Sequence, residues 1–344
     1  MTRTTSRLGL MVFGVTLLAV GTAAAQTAPK PAPAPEPAEA TRSAKTTANG
    51  DTGLFFVPTA EVLPAKKFSF SLYRTNFDDG QGFSDMSNFP VTLGVGLGNK
   101  VELFGAYNVL TRIDRRARPL FFTSTSAESS TGTGGGILPN YPLMRSTWVS
   151  TYGDLNLGLK WNLASEADKA PVAFALRGGI KVPTGNKSDG TTSGEIDYSV
   201  DAILSKEAGK LVDLSAYAGY LVRGNPSGYS LTNSVRWGAG IGLPTRRDGL
   251  GLSATAELFG EFYTNSTITA PAGLKGVDGS AVPTSTILKN PLNGAIGASF
   301  DFANGWFIGA AANWNFTQKS RTDAVASGCT GCAFSDKSLD AQGI

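Results

Sequence analysis

The chain has 344 residues, 41% hydrophobic and 17% charged, and its 30 basic residues against 27 acidic ones leave a net charge of +3. That balance is too even to point to nucleic acid as a partner. The chain contains no histidine, which removes the Ser-His-Asp and Cys-His arrangements, the commonest general base and nearly every zinc site, so the sequence predicts no enzyme, no metal and no cofactor.

Residues 1–25 read as an export signal: Arg3 and Arg7 give a basic start, an apolar run follows from Leu8 to Val20, and Ala23, Ala24 and Ala25 precede a cleavage point near Gln26. The apolar run is too short to span a bilayer, and no later stretch approaches the roughly 18 uninterrupted apolar residues of a membrane helix. Residues 26–49, rich in Pro and Ala with scattered charge, offer nothing to bury and read as an extended, disordered linker. An exported chain of this kind is either soluble or a β-barrel.

From residue 50 the dominant pattern is strict alternation over segments of about ten residues, the length a tilted strand needs to cross a membrane. Phe89, Val91, Leu93, Val95 and Leu97 alternate with Pro90, Thr92, Gly94 and Gly96; Leu155, Leu157, Leu159 and Trp161 with Asp154, Asn156, Gly158 and Lys160; Val235, Trp237, Ala239, Ile241 and Leu243 with Arg236, Gly238, Gly240 and Gly242. A helical period fits none of these runs. The pattern predicts strands at 67–76, 88–97, 100–109, 152–162, 171–182, 196–205, 211–222, 232–243, 250–263, 291–302 and 306–316. Their connections sort by length. Short links at 98–100, 164–170, 206–210, 244–249 and 303–305 alternate with long polar ones at 77–87, 111–151, 183–195, 223–231 and 264–290, and with everything after 317. Short turns on one side and long loops on the other are the wiring of an outer-membrane barrel, with the short turns in the periplasm.

Such barrels have an even strand number, so the predicted set implies about 12 strands with a closing strand still to be placed. Either the chain is C-terminally incomplete within its 50–344 barrel, or Gly53–Val57 (GLFFV) enters the sheet as the closing partner.

Several runs, GLFFVPTA at 53–60, GVGLGNKVEL at 94–103, GDLNLGLKW at 153–161 and KVPTG at 181–185, resemble the barrel portion of Gram-negative outer-membrane proteins. Two groups are similar: putative aromatic-compound transporters of the outer membrane, and barrels of the outer-membrane protein A family, which carry a C-terminal peptidoglycan-binding domain. The resemblance implies an all-β, transmembrane, up-and-down antiparallel barrel in the outer membrane. The sequence after the barrel shows no such globular domain.

A cation on the lipid face near mid-membrane costs about 2–4 kcal/mol, so Arg177, Lys181 and Arg236, each set between apolar neighbours, are expected to face the lumen. Counting back from the intervening loop puts Lys181 opposite Asp197 and Arg177 opposite Asp201. Asp213, Glu257 and Glu261 extend this lumen charge ladder, the two glutamates as partners of Arg236 and other cations. It reads either as a lining that keeps its charges paired or as an electrostatic filter for small polar or anionic solutes. Arg112, Arg115, Arg116 and Arg118 crowd the foot of the longest loop, where planar guanidinium groups suit lipopolysaccharide phosphates or a solvated loop base. Cys329 and Cys332, an even pair in an exported chain, are expected to form a disulfide.

The sequence therefore predicts a passive, charge-selective outer-membrane channel for small solutes. The alternative is a structural barrel with a plugged lumen that anchors a periplasmic, peptidoglycan-binding domain missing from this chain. The expected partners are outer-membrane lipid, small solutes and, in the alternative, the cell wall.

Overall fold

The computed structural model describes residues 45–79, 84–114, 148–209, 211–245, 251–269, 285–287, 290–317 and 342–343. The export signal, most of the linker, Arg115, Arg116, Arg118, Cys329 and Cys332 lie outside the described residues. In chain order the strands are β1 (Phe68–Leu72), β2 (Thr75–Asp79), β3 (Ser84–Leu97), β4 (Val101–Asp114), β5 (Trp148–Thr151), β6 (Leu155–Ala164), β7 (Ala173–Val182), β8 (Asp197–Ala208), β9 (Val212–Val222), β10 (Ser234–Pro244), β11 (Gly251–Tyr263), β12 (Thr267–Thr269), β13 (Ser285–Ile287), β14 (Leu292–Asp301), β15 (Phe307–Asn315) and β16 (Gln342–Gly343).

All but β12 and β13 belong to one 14-stranded sheet, whose main path is β1-β3-β4-β6-β7-β8-β9-β10-β11-β14-β15-β16. Every pairing along it is antiparallel. The fold is an up-and-down antiparallel sheet. β2 continues β1 past a break at Tyr73-Arg74, and β5 leads into β6 past Tyr152 to Asp154, so each pair acts as one wall strand.

Alternation accounts for the two faces. Leu157, Leu159 and Trp161 of β6 are exposed, whereas Lys160 between them is completely buried. The same inversion holds on β8, where Tyr198, Val200 and Leu204 are exposed and Asp197, Asp201 and Ser205 buried. Apolar groups outside and polar groups inside reverse the plan of a soluble domain and match a wall with lipid on one face and a lumen on the other.

The structure lengthens the predicted strands at the long-loop rim. Residues 77–87, expected as a long loop, instead extend the β2–β3 hairpin, with Thr75 opposite Asn88 and Asp79 opposite Ser84. The ladder continues there although the alternation of apolar and polar side chains that marks a strand does not. β4 likewise runs on to Asp114 past a register shift at Phe89/Pro90. Part of the 264–290 loop forms the small β12–β13 hairpin, and the short link after β6 holds a 3-10 turn, Glu166–Asp168, capped by Ser165. The two ends of the wall meet where Asn313 Nδ2 donates to the Asn76 carbonyl at 3.3 Å. Among the described residues no ladder joins β1 to β15.

Candidate functional site

Residues 45–63 lie inside the lumen. Three features of the sequence put them there. Gly50 has a φ of +98°, and a Cβ there would stand 2.4 Å from the Gly105 carbonyl oxygen of β4, so only glycine lets the segment touch the wall backbone. The apolar run Leu54, Phe55, Phe56 finds room where the wall carries no side chains. A Cβ on Gly240 or Gly297 would meet Leu54 or Phe55 at 2.6 Å, and one on Gly309 would meet Phe55 at 2.9 Å, while Phe56 stacks on Phe259 with ring centroids 4.9 Å apart. Ala60 then packs against Ala173, Ala175 and Ile203.

The segment adds no strand to the wall. Its only β pairing is in isolated bridges, Thr46 with Thr52 and Gly53 with Pro58. Gly53–Val57 is therefore not the closing strand: the amides of Phe55, Phe56 and Val57 go to a lumenal side chain and those of Gly53 and Leu54 to carbonyls within the segment. Glu257 accepts from three successive amides, Phe55 at 3.0 Å, Phe56 at 2.8 Å and Val57 at 2.7 Å. Glu102 accepts from Thr52 N (2.7 Å), Thr52 Oγ1 (2.6 Å) and Leu63 N (3.1 Å). Lys160 donates to the Thr52 carbonyl at 2.8 Å, Asn162 to the Ala60 carbonyl at 2.9 Å, and Ser215 to the Pro58 carbonyl at 2.6 Å. Burying these amides and carbonyls without partners would cost about 1–3 kcal/mol each, so the wall supplies partners fitted to the segment.

A charged cluster holds its centre. Asp51, fully buried, receives Arg177 Nη1 at 3.0 Å, lies 3.7 Å from Lys160 Nζ and accepts from Thr47 Oγ1 at 2.7 Å. Burial pushes the Asp51 carboxyl up, but Arg177, then Lys160, and the Thr47 hydrogen bond outweigh it and hold the group below the usual carboxylate range. Arg177 Nε donates to Asp201 at 2.8 Å, and Arg236 grips both Asp201 oxygens at 2.7 and 2.6 Å. The Arg177 guanidinium also lies 5.4 Å from the centre of the Tyr217 ring.

Of the ladder expected from the sequence, Arg177 stands in register with Asp201 and Lys181 with Asp197; Lys181 Nζ is 2.7 Å from Asp197 and 3.5 Å from Asp154. Asp213 is half-buried opposite Gly242. One expectation is corrected. Glu257 is held by segment amides, not by Arg236, whose fork is committed to Asp201. Glu261 pairs with Arg223 at 2.7 Å and Ser234 at 2.8 Å; Arg223, expected in a loop, directly follows β9 and turns inward. Arg112 alternates with the buried Thr111 and Ile113 and is half-buried. Lys160 and Glu102 were not on the ladder, although Lys160 sits between Leu159 and Trp161 in the same pattern that marked Arg177.

Both ends of the segment leave at the short-turn rim. Lys45 reaches Asp301 at 2.9 Å and Ser299 at 3.0 Å, and at the other end Ala65 N donates to Asn99 Oδ1 at 3.2 Å and Lys66 N to the Gly96 carbonyl at 3.1 Å. The insert is a hairpin that enters and leaves by the same mouth.

Fold and site together define an all-β, up-and-down antiparallel sheet whose polar inner face is filled by a segment that precedes its first strand. No family model matches the chain, and no curated protein does. Among solved structures it is similar to an outer membrane channel from Pseudomonas putida F1, at 13% identity and a TM-score of 0.44, over 75% of this chain and 90% of that one.

Proposed function

We propose that the protein is an outer-membrane channel for small solutes, closed by residues 45–63 in the state described and passive once that segment is displaced. The short-turn rim is then the periplasmic side, the exposed apolar face meets outer-membrane lipid, and the chain performs no catalysis. The observation that carries this reading is the way the segment is held: by side chains projecting from nine wall strands (β1, β3, β4, β6, β7, β8, β9, β11 and β14), with no β ladder tying it into the sheet. Such anchors release without unpicking the wall. The lumenal charges Arg177 and Lys181 favour a charge-selective passage; neutralising both is expected to shift the reversal potential.

The filled lumen favours a second reading, a structural barrel that anchors a periplasmic domain to the cell wall. Planar-bilayer recording separates the two. A channel shows rare, discrete openings in the full chain and a persistent conductance when residues 45–63 are deleted. Silence of both, with barrel folding verified by heat-modifiable migration in gels, supports the structural barrel.

A further inference from the structure

The wall around Asp51 carries a surplus of positive charge. Among the described residues, the ion pairs of Lys160, Arg177 and Arg236 with the wall are to two carboxylates, Glu102 and Asp201. Asp201 is taken by both arginines, and Glu102 is turned towards the amides of Thr52 and Leu63. The surplus charge faces the point where Arg177 Nη1 and Lys160 Nζ converge, and Asp51 Oδ2 fills it at 3.0 and 3.7 Å. Beyond its Cα, an aspartate side chain is chemically an acetate ion. The site is buried, and a flat monoanion satisfies both its single surplus charge and the in-plane donors of a guanidinium group.

We propose that Arg177 and Lys160 form a binding site for small carboxylate solutes, and that Asp51 occupies it as a tethered pseudo-ligand. The site itself stands on geometry; only the statement that a solute opens the lumen by displacing Asp51 rests on the channel reading. A short tether gives Asp51 an effective concentration on the order of mM or above, so a free carboxylate competes only when it is abundant, and the channel answers to the solutes it admits.

The test uses the full chain with sodium acetate as probe and acetamide, the neutral analogue, as control, at fixed ionic strength. Asp51→Ala leaves an acetate-shaped space, and calorimetric titration is expected to show acetate binding at least tenfold more tightly than to the wild type. Acetamide should not bind, and adding Lys160→Met should abolish the gain. Equal acetate affinity in wild type and Asp51→Ala, or equal binding of acetate and acetamide, would overturn the proposal. A second measurement needs no variant: acetate on the wild-type protein should raise the frequency of openings, with acetamide inert. Acetate binding without any conductance would sink the channel reading and leave the site standing; openings that ignore acetate, with no acetate bound, would do the reverse.

Discussion

Glu257 offers the sharpest way to loosen the segment without touching its charged centre. Its carboxylate accepts from the amides of Phe55, Phe56 and Val57 at 2.7–3.0 Å. A hydrogen bond to a charged group contributes about 1.5–3 kcal/mol, and water entering from the lumen recovers part of any loss, so Glu257→Ala should weaken docking of residues 54–57 by about 3–5 kcal/mol. At 1.4 kcal/mol per tenfold, the undocked population rises by about 100- to 4000-fold. Amide hydrogen exchange at residues 55–57 should accelerate by that factor while exchange in the wall strands stays unchanged, and openings in planar bilayers should become frequent. Glu257→Gln, which keeps one acceptor oxygen, should show a smaller effect. Glu261→Gln is the control: it lies four residues along the same strand but bonds Arg223 and Ser234, so exchange at 55–57 should not change. Unaltered exchange in Glu257→Ala would refute the reasoning that this carboxylate holds the segment.

Lys160→Met should cost about 3–5 kcal/mol, because it leaves Asp51 and Glu102 buried side by side without the cation between them; an unchanged melting temperature together with unchanged Thr52 exchange would contradict this. Acid should open the lumen late. The Asp51 pKa lies below its ordinary 3.8, so the stabilisation from its ionised form is complete above about 3.8 and is lost only as pH falls through the lower folded value. An acid-induced rise in conductance should therefore appear only below about pH 4 and be absent from Asp51→Asn, which lacks the charge at every pH and should already open at neutral pH; a rise at pH 5–6 that Asp51→Asn lacks would contradict the assignment. Gly96→Ala should disturb the exit of the segment, since the added Cβ would stand 2.1 Å from the Pro64 carbonyl oxygen and 2.4 Å from that of Leu63. Gly178→Ala, which meets nothing within 4 Å, should leave conductance at the wild-type level.

The wall was legible because apolar groups on one face and polar groups on the other impose a period of two. The register of Arg177 with Asp201 followed from the same count, since antiparallel partners separate in step from their turn. What the pattern concealed has physical causes. Asp78, Asp79, Ser84 and Asp85 pair as strands although their polar run carries no alternation. Residues 45–63 have no period because their backbone bonds end partly in irregular turns within the segment and partly on Glu102, Lys160, Ser215 and Glu257, which lie far away in sequence. GLFFV reads as a strand by composition, yet it is apolar because Leu54 and Phe55 fill space left by Gly240, Gly297 and Gly309. Two clues to the insert were present: Lys160 and Glu102 are charged residues among apolar neighbours, as Arg177 is, and the lumenal glycines leave a volume that something must occupy.

The most direct test of the account fixes the segment in place. Ala60 N donates to Ser205 Oγ at 2.7 Å, so cysteines at 60 and 205, in a chain with Cys329 and Cys332 changed to serine, should join the segment to β8. Single-channel recording of this protein should show no openings when oxidised and recover them on reduction. Openings of equal frequency and size in both states would contradict the claim that displacement of residues 45–63 is what opens the lumen.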